Sequence, residues 1–245
     1  MDAAAYREMA ELEDRHWWFV GRRAIIDALL SRLPLSKNAE ILEIGCGSGG
    51  NFAMLARYGR LSAGEYNDEA RRLAAGRGVA GRVVPCALPD RFPFDDEVFD
   101  LIVLLDVIEH IEDDRASLAA IRAHLAEAGW LVMTVPAFPF LWSAHDVHSH
   151  HCRRYTRRAL NERLRETGFR PGYQSFANFW LFPLVALGRA GKNLLGIGDQ
   201  SDLAMPPSLI NWLLARLFAS ERVAMGRFAL PFGVSYIVTA QPIAP

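Results

Sequence analysis

The chain has 245 residues, of which 51% are hydrophobic and 22% charged, and its formal net charge is −1 at pH 7. A charge this close to zero gives no bulk attraction to a phosphate backbone, so we expect no nucleic-acid partner. Cys46, Cys86 and Cys152 are too few and too widely spaced for a disulfide framework or a zinc site. The polar N-terminus lacks the apolar core of a secretory signal, and we expect a cytoplasmic protein.

The N-terminal segment, residues 1–36, is predicted to be helical, with the aromatic run His16-Trp17-Trp18-Phe19 between its two helices. One interpretation is a helix that packs on the core. The other is a lid whose aromatic faces cover a cofactor or an acceptor, with Arg22 or Arg23 reaching a carboxylate. The two predicted helices are 3–14 and 24–33.

The stretch Ile41 to Gly50 has the order strand, glycine turn and helix of a nucleotide-binding half. Gly45, Gly47 and Gly50 satisfy the nicotinamide or flavin fingerprint. Gly45, Gly47 and Gly49 satisfy the looser pattern of enzymes that use S-adenosylmethionine (SAM). The glycines alone do not decide between these cofactors.

Two acids near the glycines narrow the choice. Glu43 ends the strand where a dinucleotide would place its pyrophosphate. A carboxylate there would repel a diphosphate but attract the ammonium group of a methionine moiety. Glu65 lies twenty residues after Gly45, at the end of the next apolar run, and can accept hydrogen bonds from ribose hydroxyls. Both cofactor classes use such an acid, so Glu65 supports a nucleotide fold without distinguishing them.

Beyond this loop, helical and extended patterns alternate, which predicts an α/β fold with a mostly parallel sheet. The predicted helices are 51–58, 68–76, 113–128, 157–167 and 209–218, and the predicted strands are 82–85, 99–105, 130–135, 173–179 and 234–239.

Polar side chains follow two of these strands. The strand 99–105 is a continuous apolar run, typical of a buried central strand, and ligands of open α/β sheets bind where such strands end. A histidine-rich loop follows the strand 130–135. The candidate general bases at these places are Asp106, Glu109, His110, His145, Asp146, His150 and His151, with His110 as the first choice. Structural roles are the alternative for these residues. Glu109 and His110 would then order the loop after the strand 99–105, and a pair between Asp146 and Arg154 would hold the histidine-rich loop.

The segment 180–231 is apolar, but its apolar runs are too short and too broken to span a bilayer. It is predicted to be an insert before the last strand that covers an acceptor, with Trp212 on its apolar surface. Residues 180–220 are expected to make peripheral contact with a membrane surface. A homodimer interface and additional core are the alternatives.

The residues Glu43 to Gly49, Glu65, Phe99-Asp100 and Glu109-His110 together resemble the class I SAM-dependent methyltransferases of the type 11/12 group, over about residues 40 to 170. The flanking runs 16–23 and 141–156 resemble a bacterial subfamily often encoded near polysaccharide or lipid genes. The resemblance implies one domain over residues 1–245 with a Rossmann-like fold. Its sheet would be seven-stranded and mostly parallel, with an antiparallel last strand and helices on both faces.

The resemblance also implies a cofactor site. The glycines would line the methionine end, Glu43 would approach the ammonium group and Glu65 would bind the ribose. The family often has an acid where Cys86 stands, so adenine recognition would fall on backbone groups nearby. The implied cofactor residues are Glu43, Gly45, Cys46, Gly47, Gly49, Glu65, Tyr66, Ala87, Leu88 and Asp106.

A metal site is a less favoured alternative for part of this set. Asp106, Glu109 and His110 are spaced i, i+3 and i+4, which puts them on one face if the turn is helical. They are similar to the Glu-x-x-Glu-His set that holds a divalent cation in small-RNA 2'-O-methyltransferases and quinone-pathway O-methyltransferases. We expect an enzyme without a metal.

The sequence therefore predicts a SAM-dependent methyltransferase that releases S-adenosylhomocysteine and methylates the oxygen of a small-molecule, saccharide or lipid-linked acceptor. The predicted catalytic residues are His110, Glu109, Asp106, His145 and Asp146. One alternative is a non-catalytic SAM-binding subunit of a glycan or lipid assembly at the inner membrane. Another is an NAD-dependent oxidoreductase, which is less favoured because Tyr155 has no lysine four residues on.

Overall fold

The computed structural model describes residues 3–94, 96–195 and 204–243. The helices are α1 (Ala3–Leu12), α2 (Trp17–Leu30), α3 (Phe52–Leu55), α4 (Asp68–Gly76), α5 (Asp114–Ala123), α6 (Ala144–His148), α7 (Arg157–Glu166), α8 (Phe182–Leu195) and α9 (Ser208–Ser220). The strands are β1 (Ala39–Ile44), β2 (Gly59–Glu65), β3 (Arg82–Pro85), β4 (Phe99–Leu105), β5 (Leu125–Pro136), β6 (Phe169–Ala177) and β7 (Ser235–Pro242). Short 3-10 turns span Ile108–His110, Pro139–Leu141 and Glu221–Val223.

Within the described residues, seven strands form one sheet in the order β3-β2-β1-β4-β5-β7-β6. The pairs from β3 to β5 are parallel, and β7 runs antiparallel to both of its neighbours. This is the predicted Rossmann-like architecture, including the antiparallel last strand. The carboxyl ends of β1, β2, β4, β5 and β6 lie on one edge of the sheet, where ligands of such folds bind.

Alternation along the central strand β4 builds a core on each face of the sheet. Leu101, Val103 and Leu105 pack in one buried cluster, and Ile102 and Leu104 pack in the other. Buried side chains of α2 and α9 cover the first cluster, and those of α5 and α7 cover the second. The period of two places helices on both faces, as expected for a strand that is apolar throughout.

Side-chain caps fix where several helices begin. Asn67 accepts hydrogen bonds from the N–H groups of Glu69 and Ala70 at the start of α4. Asp113 accepts from Ala116 before α5, and Thr156 accepts from Ala159 before α7. Polar residues of this kind satisfy N–H groups that lack a partner within the helix.

The predicted helix 113–128 is wrong over its last five residues. Helix α5 ends at Ala123, and β5 begins at Leu125. Leu125 is buried and pairs with Phe99 of β4, with a register shift before Trp130 joins the ladder. The run Ala126 to Ala128 has helical propensity, but the pairing of Leu125 with the central sheet outweighs it.

Other predicted bounds shift by a few residues. Helix α3 is shorter than the predicted helix 51–58 and ends at Leu55, before β2 begins at Gly59. A Cβ at Gly59 would lie 2.0 Å from the carbonyl oxygen of Ala39, so the start of β2 requires glycine. Strand β6 begins before the predicted 173–179, and α2 begins at Trp17 rather than at 24.

Helix α9 of the apolar segment 180–231 packs against helix α2 of the N-terminal segment 1–36. A side chain at Gly21 of α2 would collide with Phe218 of α9. Asn211 accepts a hydrogen bond from the N–H of Trp17 at 2.8 Å and donates to the carbonyl of Arg15 at 2.8 Å. The predicted insert 180–231 includes residues 196–203, which lie outside the described residues. Among those described, no helix has the length and apolar character needed to cross a membrane.

Candidate active site

The glycine loop after β1 depends on left-handed backbone angles. The φ angle is +68° at Gly45, +56° at Gly47 and +82° at Gly49, a region that residues with a Cβ rarely adopt. The N–H of Gly45 donates to the carbonyl of Gly64 at 2.8 Å, which ties the loop to the end of β2. These angles turn the chain sharply at the carboxyl edge of the sheet, where a ligand can approach its backbone.

Glu43 is buried at the end of β1, and its two carboxylate oxygens have different surroundings. The residue is 1% exposed, and Asn51 Nδ2 donates to its Oε1 at 2.7 Å. Its Oε2 has no hydrogen-bond partner among the described residues. Burial raises the pKa of Glu43 to about 8, although the bond from Asn51 acts in the opposite direction. A buried acceptor without a partner is costly, so Oε2 fits a cationic donor such as an ammonium group.

Glu65 lies at the end of β2 and faces the glycine loop. Its Oε2 accepts the N–H of Gly47 at 2.8 Å, and its Oε1 accepts the N–H of Asn67 at 2.9 Å. Each carboxylate oxygen has a further lone pair, so both can also accept from ribose hydroxyls.

Helix α1 packs directly on the glycine loop. A Cβ at Gly47 would lie 2.9 Å from the terminal methyl of Met9. Ser48 Oγ donates to buried Glu13 at 2.7 Å, and Arg77 forms an ion pair with the same carboxylate. The start of the N-terminal segment therefore covers the residues predicted to hold the methionine end of the cofactor.

The predicted adenine-binding backbone is already engaged within the protein. The N–H of Cys86 donates to the carbonyl of Glu65 at 3.1 Å, and the N–H of Ala87 donates to the carbonyl of Arg91 at 2.8 Å. Leu88 packs against the core. Recognition of adenine by these residues stays a prediction, and these two N–H groups have protein partners.

The remaining predicted cofactor residues of the loop region differ in exposure. Tyr66 is 76% exposed, whereas Cys46 is buried. Burial first, and then the charges of Glu43 and Glu65, raise the pKa of the Cys46 thiol well above its usual range. The thiol is therefore protonated at neutral pH and serves as a small apolar group beneath the loop.

Asp106 follows β4 and is held by the N-terminal segment. Its φ is +60°, and its carboxylate forms an ion pair with Arg22. The Arg22 guanidinium lies 4.3 Å from the centre of the Trp18 ring. Arg22 is thus the arginine that reaches a carboxylate at this edge, while Arg23 donates to the carbonyl of Glu13 at 2.6 Å.

Glu109 is a fully buried acid, and in the part of the chain that the structure describes neither of its carboxylate oxygens has a hydrogen-bond partner. Burial, and then the charge of Asp106, raise the pKa of Glu109 well above its usual range. Such a group binds a proton, a cation or a hydrogen-bond donor when one is offered.

Asp146 fixes the orientation of His151. His151 Nδ1 lies 2.8 Å from Asp146 Oδ1, and Arg154 Nε donates to the same oxygen at 2.8 Å. Because an ionised carboxylate only accepts, Nδ1 of a neutral His151 carries the proton and Nε2 is left as the acceptor. Burial opposes ionisation of Asp146, but the bonds from His151 and Arg154 outweigh it and lower the pKa of Asp146 below its ordinary value. The predicted pair between Asp146 and Arg154 is present.

Two other predicted histidines, His110 and His145, lie near His151. The rings of His110 and His151 meet edge to face with centroids 4.7 Å apart, and the centroid of His145 lies 6.1 Å from that of His151. Desolvation by the surrounding atoms, and then the neighbouring His151, lower the pKa of His110 to about 4, although the residue keeps an exposed edge. His110 is therefore a weak base. His150 is exposed.

A cavity of about 370 Å³ adjoins some of these groups, but His110, Asp146 and His150 do not line it. It is lined by His16, Trp17, Trp18, Asp106, Glu109, Pro136, His145, His151, Arg154, Asn178, Val185, Gly188, Arg189, Val234 and Ser235. The N-terminal segment, the carboxyl ends of the strands and α8 all contribute to its walls, and a cavity of this size at the edge of the sheet can hold a small ligand. Asn178 was not predicted from the sequence as a site residue. The only sequence signal at this position is that asparagine tolerates a positive φ.

The predicted metal-binding set is only partly assembled. In the described part of the chain, the residues that offer ligand atoms within 4.8 Å of one another are Glu109, His110 and His151. Asp106 is absent from this cluster and pairs with Arg22 instead. The segment Ile108–His110 forms a 3-10 turn, so the helical face that the spacing required does not exist.

Comparisons with known proteins agree with this geometry. A family described as a methyltransferase domain matches residues 17–172, which is more than half of the chain. The chain belongs to this methyltransferase family. It is accordingly a SAM-dependent enzyme, as predicted, and the oxidoreductase alternative is not supported.

Individual relatives are distant. The ubiquinone biosynthesis O-methyltransferase of Bartonella quintana (strain Toulouse) is 30% identical over 119 residues, which are 47% of this chain and 47% of that protein. This methyltransferase thus matches about half the length of that curated relative.

Solved structures share the fold. A complex of the Haloferax volcanii Trm112 methyltransferase activator with a putative methyltransferase gives a TM-score of 0.62 at 20% identity, covering 99% of this chain and 95% of that chain. Haemonchus contortus phosphoethanolamine N-methyltransferase 2 in complex with SAM gives 0.59 at 17% identity, covering 89% and 52%.

Proposed function

We propose that this methyltransferase transfers a methyl group from SAM to a hydroxyl oxygen of a small or lipid-linked acceptor bound in the 370 Å³ cavity. The observation that carries the proposal is the orientation of His151. Its Nδ1 proton is held by buried Asp146, and the ring lines the cavity with Nε2 as the acceptor. A hydroxyl must lose a proton when it is methylated, and an oriented histidine is the group suited to take it.

The residues around the glycine loop fit the cofactor. The ammonium group of SAM would donate a hydrogen bond to Oε2 of Glu43, and the ribose hydroxyls would donate hydrogen bonds to the two carboxylate oxygens of Glu65. Bound SAM supplies a methyl group on a positively charged sulfur. Helix α1 would cover this site as a lid and exclude water from it.

The proposed reaction balances at named atoms. The acceptor oxygen forms a bond to the methyl carbon as the carbon–sulfur bond breaks, and the electron pair of that bond stays on sulfur. The hydroxyl proton moves to Nε2 of His151. Asp146 keeps Nδ1 protonated and stabilises the imidazolium that forms. Asp146 is therefore a positioning residue in this proposal, in place of the directly catalytic role that the sequence suggested.

A second candidate rests on the convergence of Glu109, His110 and His151. Two imidazoles and a carboxylate suit a divalent cation, which these residues would hold. Asp146 behind His151 would then orient a metal ligand rather than a base. A cation there would activate a hydroxyl by lowering its pKa. Sensitivity of methyl transfer to chelators distinguishes this candidate from the histidine base.

We name the exposed apolar side chains of α8 and α9 together the apolar patch, and they support a lipid-linked acceptor. They are Leu184 and Leu187 on α8, and Leu209, Ile210, Trp212 and Leu213 on α9. Helix α8 also contributes Val185 and Gly188 to the cavity, so the patch and the acceptor site share an element. Among the described residues 204–243 the charged side chains are Arg216, Glu221, Arg222 and Arg227, and Glu221 is buried. A surface with exposed tryptophan and surplus arginine suits an anionic lipid bilayer.

Methyl transfer is tested with tritium-labelled SAM and a bacterial lipid extract, with the product counted after extraction. We expect His151→Gln to lower kcat by about 100-fold or more, the lower end of the usual range for a lost general base. His148→Gln is the control, since His148 lies in the same loop and is exposed. Equal rates for wild type and His151→Gln would contradict the histidine base. A protein that binds SAM but methylates nothing in any extract would favour the non-catalytic subunit.

A further inference from the structure

A polar group in the cavity has no role in the proposed reaction. Asn178 follows β6 at the carboxyl edge of the sheet and lines the cavity. The residue is 3% exposed, and within residues 3–94, 96–195 and 204–243 its Oδ1 has no hydrogen-bond partner. A buried carbonyl oxygen without a partner costs about 1–3 kcal/mol. A ligand that donates a hydrogen bond would remove this cost.

The backbone at Asn178 is held in an unusual conformation. Its φ is +59°, which is uncommon for a residue other than glycine. Such a conformation persists only when the surroundings impose it, and it occurs most often at ligand sites. The positive φ fixes the direction of the side chain that leaves this position.

Buried Glu221 imposes the conformation. Its carboxylate accepts the N–H of Asn178 at 2.8 Å, that of Phe179 at 2.7 Å and that of Trp180 at 3.2 Å. Three successive amides on one carboxylate leave this turn little freedom. Glu221 begins the 3-10 turn after α9, so its side chain links that turn to the cavity wall at Asn178.

The group that Asn178 recognises is distinct from the one that is methylated. A hydroxyl has one proton, and in the proposed reaction that proton goes to His151. The donor that meets Asn178 Oδ1 must therefore be a second group on the acceptor. This step rests on the proposed function.

We propose that Asn178 is a specificity-determining residue that recognises a second hydroxyl group of the acceptor, and that Glu221 is the residue that positions it. The acceptor is then a dihydroxy or polyhydroxy compound. The second hydroxyl can belong to an aromatic ring or to a saccharide-like ring, and Trp17 and Trp18 in the cavity wall can pack against either. A site built to bind a hydroxyl discriminates strongly against the analogue that lacks it.

The test measures binding to protein loaded with S-adenosylhomocysteine, using two matched pairs of probes and calorimetry. Catechol against phenol is the aromatic pair, and cyclohexane-1,2-diol against cyclohexanol is the saccharide-like pair, so the members of each pair differ by one hydroxyl group. We expect a preference of about tenfold or more for the hydroxyl-richer member of one pair, which identifies the source of the hydroxyl. Absence of any preference in wild type would overturn the proposal.

Variants assign the preference to the residues. Asn178→Gly removes the side chain and tolerates the positive φ, so the preference should disappear while affinity for S-adenosylhomocysteine is unchanged. Asn178→Asp keeps an acceptor oxygen and should retain the preference. Glu221→Gln leaves Asn178 in place but weakens its support, and the preference should fall. A preference that survives in both Asn178→Gly and Glu221→Gln would overturn the proposal.

Methyl transfer to the same probes separates this inference from the proposed function. Loss of the binding preference in Asn178→Gly, without methyl transfer to any probe by wild type, would support the recognition site and count against hydroxyl methylation of these probes. Transfer that is equally fast with both members of each pair, in wild type and in Asn178→Gly, would instead overturn the role of Asn178.

Discussion

At the scale of single residues, the groups near the glycine loop were predictable because their roles follow from local spacing. Glu43 and Glu65 each end a strand next to that loop, and the structure places both there. The relation between Asp146 and His151 was not predictable in the same way. Several histidines share one loop, and only tertiary packing decides that His151 meets the buried carboxylate while His150 is exposed.

The raised pKa of Glu43 gives a pH prediction. An acid whose folded pKa is about 8, against an ordinary value of 4.5, contributes stability below pH 4.5 that is lost as the pH rises through 8. Glu43→Gln does not titrate, so its free energy of unfolding should improve relative to wild type between pH 5 and pH 8. Urea unfolding at several pH values measures this. Glu40→Gln, on the same strand but paired with Arg60 at the surface, is the control. Parallel pH curves for wild type and Glu43→Gln would contradict the prediction.

Removal of the Asp146 charge should destabilise the fold. Asn at this position would leave the buried Arg154 without its anionic partner and would offer His151 a neutral amide oxygen in place of a carboxylate. We expect Asp146→Asn to lower the free energy of unfolding by about 3 kcal/mol, the lower end for breaking a buried pair. Urea unfolding followed by tryptophan fluorescence checks this. Asp90→Asn, at an exposed position, should change it by less than about 0.5 kcal/mol. A similarly small change in Asp146→Asn would show that the pair does not support the loop.

At the scale of elements, apolar runs predicted that each strand of the described sheet exists, but not the residues at which each strand begins and ends. The predicted helix 113–128 is too long because Leu125 belongs to the sheet. Its partner, Phe99 of β4, is distant in sequence. The same reason hid the packing of α9 on α2, since nothing near Gly21 indicates that Phe218 will fill its surface.

Helix α1 is predicted to act as a lid on the cofactor. Deletion of residues 1–12 should raise the dissociation rate of S-adenosylhomocysteine by about tenfold or more, because Met9 would no longer cover Gly47. Stopped-flow displacement measures this rate. Arg7→Ala is the control within the same helix, since its ion pair with Glu69 lies at the surface and should contribute little. An unchanged rate after the deletion would show that α1 is only part of the core.

The apolar patch is predicted to bind anionic bilayers. Substitution of Trp212 and Leu213 by serine should reduce sedimentation with phosphatidylglycerol vesicles by about tenfold, because both side chains are exposed on α9. Val98→Ser, an exposed apolar position before β4, is the control. Sedimentation that persists in the double variant would contradict membrane contact. A change from dimer to monomer, seen by analytical ultracentrifugation, would assign the patch to a homodimer instead.

At the scale of the whole molecule, the sheet order places the glycine loop, Asp106 and the histidine-rich loop along one edge. Motifs far apart in sequence predicted that assembly because carboxyl ends of parallel strands converge. The cavity proposed for the acceptor could be derived only in part. The strand ends contribute Asp106, Glu109 and Pro136 to its walls. The other walls, from α2, α8 and the turn at Asn178, depend on packing between segments far apart in sequence.

The central claim is that Glu43 and the glycine loop form a SAM site rather than a dinucleotide site. Calorimetric titration of wild type and Glu43→Gln with SAM, S-adenosylhomocysteine and NAD tests it most directly. We expect both sulfur nucleotides to bind wild type, to bind Glu43→Gln about tenfold more weakly through loss of a charge-assisted hydrogen bond, and NAD to bind neither. Binding of NAD, or equal affinity of the two proteins for S-adenosylhomocysteine, would contradict the account.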